Sequence, residues 1–127
     1  MESWIEHLTY IRNICAHHGR LWNRILIVTP TIPRHTVLPW ISQAPQRNDK
    51  LYLSICLITY MLKRITPTSN IKGKLLTLIN RLPSIDLRAA GFPPTWRNDL
   101  FWKEIYVPWS YKARILLFQC RNLYITP

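Results

Sequence analysis

Arg12-Asn13-Ile14-Cys15-Ala16-His17, followed at once by His18-Gly19-Arg20-Leu21-Trp22-Asn23-Arg24, is the stretch on which the reading of this chain turns. It gathers guanidinium groups and imidazoles within a few helical turns, on a chain with little else that resembles chemistry. Read at about 100° per residue, a helix over residues 2 to 26 places Trp4, Leu8, Ile11, Ile14, Cys15, Trp22 and Ile25 on one broad face. That face is expected to be buried. Asn13, His17, Arg20 and Arg24 follow at spacings of four, three and four, forming a polar stripe on the other side. Arg12 flanks the stripe, about 140° from His17 on the same wheel, and its long side chain can swing toward the imidazole. Both groups can then approach one phosphate.

The segment resembles the motif helix of the HEPN superfamily, whose ribonuclease members carry Arg, a polar residue, three variable positions and then His. Arg12, Asn13 and His17 match that pattern. The wider string, Tyr10-Ile11 through Asn23-Arg24, is similar to the Abi-like (AbiD/AbiF type) branch, associated with bacterial abortive infection against phage. Gly91-Phe92-Pro93, followed by Trp96 and Trp102, is similar to a recurrent feature near the end of the same family.

The resemblance implies RNA cleavage without metal. His17 serves as general acid or base on the ribose 2′-hydroxyl and the leaving oxygen, Arg12 neutralises charge on the phosphoryl oxygens, and Asn13 orients the phosphate or the imidazole. The residue types suit those roles: imidazole titrates near neutral pH, and guanidinium stays charged and grips phosphate through paired donors. In the family, motifs of two protomers meet in one cleft, so a single copy implies a homodimer. Arg20 and Arg24 read either as RNA-binding cations or as solvated ones. His18 falls near the apolar face of the wheel and reads as a core histidine or an additional RNA contact.

Composition sets the outer bounds. The 127 residues are one domain's worth, and 48% apolar residues with six Trp, six Tyr and three Phe can supply a core. Lys and Arg number 17 against six acidic residues, a formal net charge of +11. Such an excess suits a polyanion, and RNA or DNA fits better than a membrane surface because no single segment concentrates the charge. Cys15, Cys56 and Cys120 are odd in number, widely spaced and set among apolar residues, so no disulfide framework or Cys-x2-Cys zinc site is expected and all three read as buried. His7, His17, His18 and His35 lack carboxylate or thiolate company, so neither metal nor cofactor is expected. The longest apolar run, Leu51 to Leu62, contains Ser54 and Thr59, lies between Lys50 and Lys63-Arg64, and is too short for a bilayer. No membrane role and a cytoplasmic location follow as expectations.

Along the chain, helices alternate with proline-rich loops. Three prolines in Val28 to Trp40 forbid a helix interior, giving a loop to about Asp49 anchored by Val37, Leu38 and Trp40. A second helix from about Lys50 to Ile65 is apolar almost all round, as a central helix is. A third starts near Ser69 or Asn70 and runs to about Leu82, with Ile71, Leu75, Leu78, Ile79 and Leu82 facing inward and Lys72, Lys74 and Arg81 elsewhere on its surface. Residues 85 to 91 read as a helical turn closed by Gly91, and Phe92, Trp96 and Trp102 as an aromatic clamp that closes the bundle rather than a base-stacking platform. Ser110 can cap a helix in the basic, apolar tail.

The expected fold is therefore all-α: an HEPN-like helical bundle over residues 1 to 103, truncated at its N-terminal side, with an irregular Pro- and aromatic-rich cap and a tail over residues 104 to 127. The expected function is a metal-independent endoribonuclease, or its catalytic fragment, in phage defence. A non-catalytic RNA- or partner-binding relic is the second reading and an antitoxin-like or purely interaction domain the third, with a regulatory RNA or antitoxin as a further candidate partner.

Overall fold

α2, Leu51–Ile65, is the centre of the fold because its sequence offers apolar contact on nearly every side. Tyr52, Leu53, Cys56, Leu57 and Tyr60 are all buried on it. The structure, a computed structural model, describes residues 2–103. Around α2 stand α1, Glu2–Ala16, and α3, Ile71–Arg81, followed by a 3-10 turn, Trp96–Asn98, and the short α4, Leu100–Lys103. The described residues form helices and loops without a strand, so the all-α expectation holds for them. The expected tail helix after Ser110 lies outside the described residues.

The main core joins α2 to Ile41, Ile79, Ala90, Phe92, Trp96, Phe101 and Trp102, with Trp4, Trp22, Leu38 and Trp40 packed against it. The aromatic members meet mostly edge to face: Phe92 on Trp96 at 5.1 Å, Trp96 on Trp102 at 5.5 Å and Phe101 on Trp102 at 5.0 Å between ring centroids. That is the geometry the ring quadrupole favours. The indole N–H of Trp102 donates to the Tyr52 hydroxyl at 3.1 Å, so these two polar groups are paired within the core, whereas the buried indole nitrogen of Trp40 has no hydrogen-bond partner among the described residues. Phe92, Trp96 and Trp102 are thus core side chains closing the bundle, and their faces are not presented for stacking on bases.

Asp99 fastens this aromatic end to the long loop. Its carboxylate accepts from Phe101 N at 2.9 Å, which caps α4, and from Ser42 N and Ser42 Oγ at 2.8 and 2.9 Å. Burial pushes its pKa up, but the bonds from Phe101, Ser42 and Gln43 outweigh burial and hold it below the usual carboxylate range. The loop after the motif is anchored by such bonds and by Leu38, Trp40 and Ile41. Val37, expected as an anchor, is 80% exposed. Similarly, Leu78 of α3 and Leu82 just after it face outward while Leu76 packs inward, because the buried side of α3 centres on Ile79. Lys72 lies partly inside: its Nζ donates to the Phe101 carbonyl and sits 4.2 Å from the Phe101 ring centroid, and burial lowers its pKa to about 8. Cys15 is exposed, against expectation, and Cys56 is buried, where desolvation raises its thiol pKa.

The largest departure concerns α1, which stops at Ala16 instead of running to residue 26. His18 adopts a left-handed conformation, φ 55, its N–H bonds to Cys15 O at 3.0 Å, and Gly19 N bonds to Ile14 O at 2.8 Å. This is the paired 5→2 and 6→1 pattern that closes helices. Gly19 is required by contact, since a Cβ there would lie 2.7 Å from Ile14 Cγ2. The same pattern recurs at Gly91, φ 86, where Gly91 N reaches Arg88 O and Phe92 N reaches Leu87 O, as the glycine-closed turn expected there. Past its stop the chain folds back, burying Leu26 against Ile11 and Ile14. Ile25 consequently faces solvent.

A non-glycine residue at a left-handed position costs about 1 kcal/mol. His18→Gly is therefore expected to stabilise the protein by about that amount, read as a raised urea midpoint with unchanged m, whereas Gly19→Ala is expected to lower it.

Candidate functional site

The C-terminal end of α1 brings the motif residues to the surface. Arg12, Asn13, His17, His18, Arg20 and Arg24 are all exposed. Arg12 and Asn13 are adjacent on the last full turn, and Arg12 Nη1 donates to Asn13 Oδ1 at 3.3 Å. His17 N–H still reaches Asn13 O at 3.1 Å, so the imidazole follows Asn13 on the same side of the helix end. His18 is not a core residue, because the left-handed turn swings it out to solvent.

Arg20 and Arg24 do not continue a helical stripe. They belong to the returning segment, in which Arg24 N closes a turn on Leu21 O at 3.2 Å. Lys50 Nζ donates to Asn23 Oδ1 at 3.2 Å, and Leu26 N donates to Asp49 O at 2.8 Å. These bonds fix the segment against the start of α2.

Charge at this end is one-sided. A helix C-terminus carries a partial negative charge from its unsatisfied carbonyls, which by itself repels phosphate. The cations of the turn act against it, and no acidic residue occurs between Glu6 and Asp49 to oppose them. Asp49 is itself occupied, paired with Arg47 at 2.6 Å. Among the described residues no cluster of three or more His, Cys, Asp or Glu side chains comes together to hold a metal ion, and no helix is long and apolar enough to cross a membrane.

What holds the helix in place is His7, a residue to which the sequence reading gave no role. It is fully buried. Its Nδ1 lies 2.7 Å from Val28 O and its Nε2 lies 2.8 Å from Ser54 Oγ. A carbonyl only accepts, so Nδ1 carries the proton and the Ser54 hydroxyl donates to Nε2. One ring thus joins α1, α2 and the loop. The signal was present in the wheel: His7 stands three residues after Trp4 and four before Ile11, in the middle of the apolar face.

Burial lowers the pKa of His7 below its usual value near 6.5, and the bond to Val28 recovers only part of the shift. The ring is neutral in the folded protein at neutral pH. Unfolded chains bind the proton at higher pH than folded ones, so stability is complete above the unfolded pKa and declines as pH falls from there toward the folded value. The urea midpoint is expected to drop as pH falls through the unfolded value near 6.5, and His7→Gln to flatten that dependence.

Compared with known proteins, residues 1–23 of the chain match the family model described as Abi-like protein. The matched stretch takes in α1 and the turn that ends it, with Arg12, Asn13 and His17, and amounts to less than a fifth of the 127 residues. No curated protein and no solved structure matches the chain. The likeness to the Abi-like family therefore rests on the helix that presents the candidate site.

Proposed function

We propose that the protein is a metal-independent endoribonuclease of HEPN type, acting in the cytoplasm in abortive-infection defence against phage as a homodimer. The observation that carries the reading is that the stretch similar to the Abi-like family contains Arg12, Asn13 and His17, and that all three side chains lie exposed at one end of α1. In this reading His17 of one protomer removes the proton of the ribose 2′-hydroxyl as its oxygen attacks phosphorus. The second copy of His17 returns a proton to the departing 5′-oxygen, leaving a 2′,3′-cyclic phosphate and a 5′-hydroxyl. Arg12 meets the charge that grows on the non-bridging oxygens, and Asn13 holds the phosphate in line. Arg20, Arg24 and His18 carry the flanking phosphates, and residues 1 to 103 form the working unit.

Two protomers supply the pair of proton-transferring groups that the chemistry asks for. In-line transfer requires one group to take a proton and another to give one. Within one chain, no second acid or base among the described residues is bonded to His17.

A specific observation favours a second reading, that of a non-catalytic RNA-binding module. Fourteen of the 17 Lys and Arg residues fall within residues 2–103, against five acidic residues there. That surplus is sufficient for salt-sensitive RNA binding without turnover.

Digestion of single-stranded RNA in EDTA separates the two. Wild type is expected to cleave, and Arg12→Ala and His17→Ala each to lose about a hundredfold or more in rate, as for removal of a general acid-base group or its electrostatic partner. Equal rates in all three proteins would remove the site assignment. Binding that weakens with salt in all three, with no cleavage in any, would establish the module.

A further inference from the structure

At the opposite end of α1 lies a recess of about 410 Å³, formed between Trp4, the last turns of α2 and the loop at residues 33–37. Its wall is built rather than incidental. Trp4 is stacked on Trp40 with 21° between their planes, and Tyr60 meets both rings edge-on at 89° and 84°. The Trp4 indole N–H is already spent on Thr31 O at 2.8 Å, so what Trp4 offers the recess is a π surface and not a donor. His35 and Arg64 stand at the rim, and among the described residues no carboxylate lines it. Val37 and Ile65, 80% and 74% exposed, complete the mouth.

The geometry points to this recess as a binding site for one unpaired nucleotide of single-stranded RNA, its base against Trp4, which the buried Tyr60 backs, between Val37 and Ile65, its phosphate on Arg64 and His35. A fixed aromatic wall with cations beside it and no acid is the arrangement that takes bases of any sequence. A paired base, stacked on both sides within its duplex, has no free face to lay against Trp4. Charge complementarity favours an anionic occupant over an apolar peptide, given the net charge of +11. Trp4 and His17 are thirteen residues apart on α1 and its end, about 20 Å at 1.5 Å per residue, so the recess is separate from the motif and holds a strand some nucleotides away from it. The inference rests on the RNA reading for its ligand and is independent of cleavage.

The test uses the full chain carrying His17→Ala, so that RNA is not consumed, and a labelled single-stranded oligouridylate read by fluorescence anisotropy. Arg64→Gln and Val37→Asp alter exposed side chains and are expected to leave the urea midpoint unchanged while weakening binding about tenfold each, the effect of losing one charge-assisted contact or one stacked base. A 4-thiouridine probe is expected to crosslink to peptides containing Trp4 or Tyr60. Unchanged affinity in both variants with crosslinks elsewhere overturns the assignment, as does equal binding of a duplex. Loss of self-association in Val37→Asp with RNA affinity intact also overturns it, giving the recess to a protein surface. Because cleavage is read separately through Arg12 and His17, failure of that reading leaves this binding result standing, and the reverse.

Discussion

The neutral imidazole of His7, closed on Val28 O by one nitrogen and on the Ser54 hydroxyl by the other, is the contact on which the placement of α1 depends. Leaving either partner unsatisfied in the interior costs about 1 to 3 kcal/mol, a large fraction of the stability of a small domain. Hydrophobic contact alone would let α1 slide or rotate against α2, because apolar burial has no direction. Two hydrogen bonds from one ring fix register and rotation together. The rotation chosen turns Ile11 and Ile14 inward and leaves Arg12, Asn13 and His17 to solvent.

A second constraint decides where the helix ends. The stop at Ala16 depends on His18 taking a left-handed conformation and on Gly19 lying flat against Ile14. Had the helix continued, Arg20 and Arg24 would rise along its axis, away from Arg12. With the chain turned back, Leu26 is buried under Ile11 and Ile14, and the segment that carries Arg20 and Arg24 lies exposed between the helix end and that contact. The strain at His18 is thus exchanged for a cationic end to a helix whose own carbonyls disfavour phosphate.

Much of the architecture was legible in the sequence because it follows from local pattern. The all-round apolar run of Leu51 to Leu62 reports a central helix, and the bounds of α2 and α3 fall within a residue or two of those read from periodicity and capping residues. Gly91 announces its own turn. The stop of α1 was missed because the left-handed residue is His18 and the glycine sits one place later, so apolar spacing through Trp22 and Ile25 looked like continued helix. His7 and Asp99 were missed for a different reason. Their roles depend on partners 21 to 57 positions distant, which no local pattern contains. The motif itself was read from resemblance and residue chemistry; the structure adds that its side chains are exposed and that a buried ring sets their helix.

Imidazole nitrogen NMR tests the account most directly, because it observes both histidines in one spectrum. At neutral pH His7 is predicted to show the neutral tautomer protonated on Nδ1, unchanged when a 2′-deoxy oligonucleotide that resists cleavage is added, while the His17 resonances shift on addition. A His7 that is charged or responds to the oligonucleotide, or a His17 that does not respond, would contradict the division between a sealed ring that positions α1 and an open ring proposed to meet the nucleic acid.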